Sequence, residues 1–479
     1  MLVDVEQELW RGQSAEILER RAPIEAEAVG PDLALVLAMA AKEEDHFGLA
    51  DRLLLRALES DRTRGRATAH LAHLDYYRGD FHGGVRRAAS VARSPDALVR
   101  AEAALYASVN LIALNQGDQA LASALRARNL VMHIRPTQLR QHLRFRVARQ
   151  LVHVYVAVGM YIEAGREAET AASIAARQEV PRMLAMASYL RGYVGASRGD
   201  RAALALFADA DRRYGGRTHS FGRWVRYVWS TLLRDLGEFD LARGMRASSG
   251  IAIAWEDPLY ELAETGRASA PAIRDVPADE LPYRLATSGL IALVAGDQRS
   301  AIERLTSALE QFSPLGLAHY RRGCALALAV ARDMHGERAR ARRAVEREIA
   351  LVDRYRLARW PWWHPVVARN LAQLARRADG PEAFWEGQMA AAVEVAVPGR
   401  EVLSAIGLTA REAQVVLTWV NNPTWSRPEL AIYLGISEAS VRNHLNRARR
   451  ALHCDARRGP EPLRERIDEL RYRPRRGLV

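Results

Sequence analysis

The chain has almost no lysine. Of 69 basic residues only Lys42 is lysine, and the other 68 are arginine. A phosphate-gripping loop needs its lysine directly after a glycine run, whereas Lys42 sits in Ala40-Ala41-Lys42-Glu43-Glu44. Phosphate-loop ATP hydrolysis is thereby excluded, and lysine-nucleophile chemistry has one candidate in a helical, acidic stretch. Cysteine is nearly as scarce. Cys324 and Cys454 lie 130 residues apart, too isolated for a disulfide framework or a zinc site. Long apolar runs are missing too. Leu33 to Ala41 and Cys324 to Ala331, the longest, are about half a membrane span. Met1 to Glu6 lacks the basic start and apolar core of a signal peptide. The expectation is a cytoplasmic protein with no membrane partner.

Catalytic patterns are absent as well. The thirteen histidines are scattered (among them His70, His73, His82, His153, His319 and His335), and none forms HExxH or flanks a nucleophile elbow. His70 and His73 share a helical face but have no third ligand, and read as ordinary surface or packing residues. There is no carboxylate pair in a plausible cleft and no nucleotide-binding glycine loop. No enzyme, cofactor or metal is expected.

What is present is a globular composition, 49% hydrophobic and 26% charged, with a formal net charge of +12. Its excess charge is uneven. Residues 399–479 hold 15 Arg against 9 acidic residues, so a sixth of the chain carries half of the excess. Alternating apolar runs bounded by hairpin turns are not seen, so strands are not indicated. Instead Ala- and Leu-rich stretches are broken by a recurring turn around Gly79, Gly117, Gly159, Gly199, Gly237, Gly296 and Gly336. Glycine closes one helix in the left-handed conformation, and the acid that usually follows suits the next helix start. Five residues on, alanine recurs (Ala122, Ala164, Ala242, Ala301, Ala341), as close helix packing requires. Such hairpins cannot bury an apolar face alone and must stack.

The spacing of Leu151, Tyr155, Gly159, Tyr161, Ala164 and Ala171, and of Gly289, Gly296, Asp297, Ala301 and Ala308, resembles the tetratricopeptide repeat (TPR). The resemblance spans roughly 40–390, with a period near 40 and HEAT-like pairs as the alternative. It implies an all-α chain: a TPR-like α-solenoid over 1–392, irregular at about 250–280, then a linker at 393–400. Carried across, the repeat register places Arg146, Arg149, His153, Met186, Tyr189, Tyr193, Trp224, Tyr227 and Arg234 along a concave groove. Aromatic and basic residues there suit a peptide, an anionic small molecule or a partner's acidic segment; the bland alternative is packing between helices. Trp360-Pro361-Trp362-Trp363-His364-Pro365 reads as a plug before a last helix over Val366 to Arg376.

A second domain is expected over 401–479, and from Leu408 the texture changes. Thr409 caps a first helix ended by Asn421-Asn422-Pro423; Ser426 caps a second with Pro428 in its first turn; Gly435 makes a sharp turn; Ser437 caps a third. Ala431, Gly435 and Val441 have the spacing of a helix-turn-helix, with Leu430, Leu434 and Ile436 inward. On the third helix Val441, Leu445, Ala448 and Leu452 form one stripe. The opposite arc carries Arg442, Asn443, Asn446, Arg447 and Arg450, side chains that read guanine and adenine edges.

Leu408-Thr409, Arg411-Glu412, Glu429-Leu430-Ala431, Ile436-Ser437 and Ser440-Val441-Arg442 resemble the LuxR/NarL-type DNA-binding domain, over about 65 residues. The end at Asn446 to Leu452 is closer to promoter-reading sigma-factor domains. The resemblance implies that Ser440, Val441 and Arg442 open a recognition helix, and that a further helix at about Glu461 to Arg471 makes a homodimer. The expected function is sequence-specific regulation of transcription on double-stranded DNA. Arg442, Asn443 and Asn446 would touch bases, Arg427, Arg447 and Arg450 phosphates, with Ser437 and Ser440 at the helix start, while the solenoid senses a ligand or partner. The competing reading is an adaptor whose helix-turn-helix docks protein instead of DNA.

Overall fold

The computed structural model describes residues 2–20, 25–135, 137–214, 219–378, 386–389, 391–392, 407–421, 426–434 and 436–454, with 460, 462–463 and 466. The linker at 393–400, Gly435, Asn422 to Trp425 and nearly all of the basic tail lie outside the described residues. All described regular elements are helical.

The chain starts with α1 (Leu2–Trp10) and α2 (Ser14–Glu19). Eight hairpins follow among the described residues. They are α3 (Pro31–Glu43) with α4 (Phe47–Ala57), α5 (Asp61–Arg78) with α6 (Phe81–Ser90), α7 (Ala97–Ala113) with α8 (Gly117–Val131), and α9 (Thr137–Ala157) with α10 (Tyr161–Gln178). Then come α11 (Pro181–Ser197) with α12 (Ala203–Tyr214) and α13 (Ser220–Asp235) with α14 (Phe239–Ser249). After a lone α15 (Asp257–Thr265) the series resumes with α16 (Leu281–Val294) and α17 (Gln298–Phe312), then α18 (Ala318–Met334) and α19 (Arg338–Tyr355), closed by α20 (Pro365–Arg377). This is an α-solenoid. The first helices α3, α5, α7, α9, α11 and α13 pack against one another in sequence, forming the inner, concave layer. One continuous apolar core runs from Val5 to Ala392.

The turns obey one register, but not the one glycine suggests. Left-handed residues stand at Asp45, Gly79, Asn115, Gly159, Gly199, Gly237, Gly296 and Gly336. In the α7–α8 turn the left-handed residue is therefore Asn115, not Gly117, whose φ is not positive. Asn and Asp tolerate that conformation better than other side chains. The packing alanine shifts accordingly: Ala50, Ala120, Ala164, Ala242, Ala301 and Ala341, each five residues on, are all fully buried, whereas Ala122 is exposed. Gly117 is needed for another reason. A Cβ there would stand 2.8 Å from the Gly316 carbonyl oxygen, because the α7–α8 turn lies against the turn before α18.

That contact is one of several joining distant repeats. Asn115 Nδ2 donates to the Asp279 carbonyl and its Oδ1 accepts from Tyr283, both at 2.8 Å. The Ala358 amide donates to the Arg198 carbonyl at 2.7 Å, and Tyr161 meets His319 at 2.5 Å. Trp360, Trp362 and Trp363 are buried. Trp362 sits among Trp255, Tyr283, Phe312 and Tyr320 and donates to Thr287, so the tryptophan cluster plugs the later repeats.

A second core forms from Leu408 onward. It joins helices Ala410–Asn421, Arg427–Leu434 and Glu438–Leu452 around Val416, Leu430, Ala431, Val441, Leu445, Ala448 and Leu452.

Candidate nucleic-acid face and candidate groove

Each helix of the C-terminal trio is started by its own polar residues. The Thr409 amide donates to Glu412 Oε2 at 2.8 Å while the Glu412 amide donates back to Thr409 Oγ1. Ser426 and Glu429 repeat the reciprocal arrangement. These are capping boxes, satisfying two orphan amides each. Ser437 caps the third helix by accepting from the Ser440 amide at 3.1 Å. Arg411 donates to the Leu434 carbonyl at 2.9 Å, tying the first helix to the end of the second.

On the third helix the apolar stripe Val441, Leu445, Ala448 and Leu452 is buried, and Arg442, Asn443, Asn446, Arg447 and Arg450 are exposed. Among the described residues Arg442 pairs with Glu438 of its own helix, at 3.7 Å. Arg447 reaches Glu412 at 3.1 Å with its side chain still 68% exposed. Arg427 is half-buried and Ser437 is exposed, its hydroxyl engaged in capping, and the hydroxyl of half-buried Ser440 shares a 2.8 Å hydrogen bond with it. Arg449 differs from its neighbours. It is buried against the Trp419 ring, 5.3 Å away, and belongs to the packing. The proposed dimer helix at Glu461 to Arg471 lies almost wholly outside the described residues.

In the solenoid, the groove residues separate into four sets. Arg146, Arg149, His153 and Tyr193 are half-buried on α9 and α11. Tyr189 and Met186 are buried, Tyr189 against Phe207 and Phe221, as packing residues rather than a groove wall. Tyr227 and Arg234 are covered by the segment before α15. Tyr227 donates to Glu256 at 2.6 Å, and Arg234 pairs with Asp235 at 2.7 Å and Glu256 at 3.5 Å. These two are spent within the protein. Trp224 remains exposed beside the Tyr227 ring.

The inner layer also brings together residues that sequence reading set aside. His70 and His73 are 1% and 6% exposed, not surface residues. Lys42, 8% exposed, places its Nζ 2.8 Å from His70 Nδ1, and His70 Nε2 lies 3.2 Å from Glu102, which also receives Arg66 at 3.0 Å. Burial pushes the His70 ring down to about 3, with Lys42 adding to the effect. Burial, then the charge of Arg146, holds Lys42 well below the ordinary lysine range. The Glu102 carboxyl opposes its own burial with Arg66 and His70 and lies below the usual range. Neutral His70 thus donates to Glu102 and accepts from Lys42. Extending the α9 register back to α5 and α3 is the signal that finds these residues: each occupies the inner face of a first helix.

No family model matches the chain, and no curated protein matches it. Solved structures similar to it include a Rap protein complexed with competence and sporulation factor, at 10% identity over 74% of this chain and 99% of that one, TM-score 0.40. The P58(IPK) TPR domain follows at 13% identity, 88% and 98% coverage and TM-score 0.24. The APC/C hetero-tetramer Cut9–Hcn1 gives 12%, 97% and 93%, with TM-score 0.25.

Proposed function

We propose that the chain is a DNA-binding transcriptional regulator whose solenoid groove takes a ligand or partner. The observation that supports it most is the exposed arc of Arg442, Asn443, Asn446, Arg447 and Arg450 on one helix whose other face is fully buried. Arginine and asparagine present bidentate donors to guanine and adenine in the major groove. On this reading Arg442, Asn443 and Asn446 touch bases, and Arg427, Arg447 and Arg450 hold phosphates. The reading contains no catalytic step.

Titration of the full chain onto genomic DNA fragments tests it. Arg442→Ala and Asn446→Ala are each expected to weaken binding roughly 10- to 100-fold. With about five phosphates neutralised, log K should fall against log salt with a slope of roughly −4 to −5. Unchanged binding in both variants would leave the chain an adaptor that docks protein.

A further inference from the structure

Basic side chains in the inner layer outnumber the carboxylates available to them. Tyr106 on α7 is the centre of the cluster. Lys42 Nζ lies 4.8 Å from its ring centroid, the Arg146 guanidinium 5.2 Å, and the His73 ring is stacked on it at 4.6 Å. Arg146 also donates to the Tyr106 hydroxyl. One turn along α9 stands Arg149, whose charge is felt at His73, His153 and Tyr76.

The carboxylates nearby are already engaged. Glu102 takes Arg66 and His70, while Glu43 and Glu44 take Arg182 at 3.6 and 3.3 Å. No carboxylate among the described residues pairs with Lys42, Arg146 or Arg149, and Arg149 makes neither an ion pair nor a hydrogen bond among them. Arg149 is half-buried, so its guanidinium keeps part of its contact with water and still lacks a counter-charge among the described residues. A second group is similarly unspent: His73 Nδ1, in a side chain 6% exposed, has no hydrogen-bond partner. Against one side of this layer lies α1, whose Trp10 ring meets His142 on α9 at 4.5 Å.

We propose that Arg149, with Arg146, Lys42 and His73 around Tyr106, forms a binding site for the oxyanion of a slender ligand, a carboxylate or a phosphate. Lys42, His70, His73 and Tyr106 are all more than nine-tenths buried, so the surface of a folded partner cannot reach them, and Arg146 and Arg149, half-buried on α9, are the members that meet an incoming group. Guanidinium forks suit both anions, and the Tyr106 ring offers a face to an apolar body beside the charge. The proposal rests on the ligand-sensing half of the regulator reading and not on its DNA-binding half.

Thermal unfolding of the full chain provides the test, with sodium phosphate compared against sodium chloride at equal ionic strength. Phosphate at about 100 times its Kd should raise the midpoint by roughly 3 °C. The rise should vanish in Arg149→Gln, return in Arg149→Lys, and persist in Arg166→Gln, an exposed control on α10. Without phosphate, Arg149→Gln should unfold no earlier than the parent, because it removes an uncompensated charge; a purely structural arginine would lower the midpoint. Phenylacetate and a tripeptide with a free or amidated C-terminus then identify the source. A shift by phenylacetate assigns a small acid, and a shift by the free-acid peptide alone assigns a peptide end. No shift with any of the three anions, or an equal shift in Arg149→Gln, would overturn the proposal. Loss of DNA binding by the parent chain leaves these results untouched, so the two readings fail separately.

Discussion

Gly117 and Asn115 divide between them two roles that one glycine, Gly199, combines in the α11–α12 turn, being left-handed and crowded by Arg359 where a Cβ would stand. Asn115 takes the left-handed backbone, and its side chain bridges to Asp279 and Tyr283. Gly117 supplies only the absence of a Cβ where the Gly316 carbonyl approaches. Gly79 is the converse case, left-handed at φ 78 with open space where its Cβ would be. Gly79→Ala should therefore cost about 1–2 kcal/mol through its own backbone. Gly117→Ala should cost about 1–3 kcal/mol through the neighbouring turn. Hydrogen exchange separates them: only Gly117→Ala should speed exchange at residues 315–318, and equal patterns would refute the distinction. A motif search on glycine finds Gly117 because it sees composition, and misses Asp45 and Asn115 because conformation is invisible to it.

At the scale of elements, the segment entering α15 is held by one buried carboxylate. Glu256, 3% exposed, accepts from Tyr227 at 2.6 Å and meets Arg246 at 3.3 Å and Arg234 at 3.5 Å. Three prolines and a long interval between repeat glycines mark this stretch as irregular in the sequence, but nothing local announces that Glu256 would remove Tyr227 and Arg234 from the groove. Glu256→Ala should cost roughly 3 kcal/mol, at the low end for a broken buried pair because Asp235 and Asp257 still hold the two arginines. Urea unfolding of the full chain measures it, and a loss under about 1 kcal/mol would show that apolar contacts alone dock the segment. The third C-terminal helix is the opposite case. Its cap, stripe and polar arc are all set by residues within a few positions of each other, so they are legible without tertiary information.

For the whole molecule, acid is the expected weakness. Burial, aided by neighbouring arginines or Lys42, holds His70, His142, His153 and His319 at about 3; His364 is held near 4 by burial, with Arg369 adding to it. Unfolded, each titrates near 6.5. Between those values the unfolded chain binds protons that the folded chain refuses, so stability is greatest above pH 6.5 and falls as pH drops towards 3. Each histidine contributes about 1.4 kcal/mol per pH unit within that window. The melting temperature should fall between pH 7 and pH 5, above the range where carboxylates titrate, and His153→Gln should flatten the fall. A midpoint constant from pH 7 to pH 5 would refute it.

The sequence by itself determined the helical class, the hairpin turns near 79, 159, 199, 237, 296 and 336, and the polar arc at 442–450. All of these follow from period, capping and turn chemistry acting over a few residues. Only the tertiary structure decided which basic residues face one another. Lys42, His73, Tyr106 and Arg149 come from four different hairpins, and the charge each sees depends on side chains up to about a hundred positions away. In the sequence the chain's only lysine stands in a helical, acidic stretch with no basic residue beside it. Folding places it beside two arginines and a histidine, where burial and Coulomb repulsion act on all of them together.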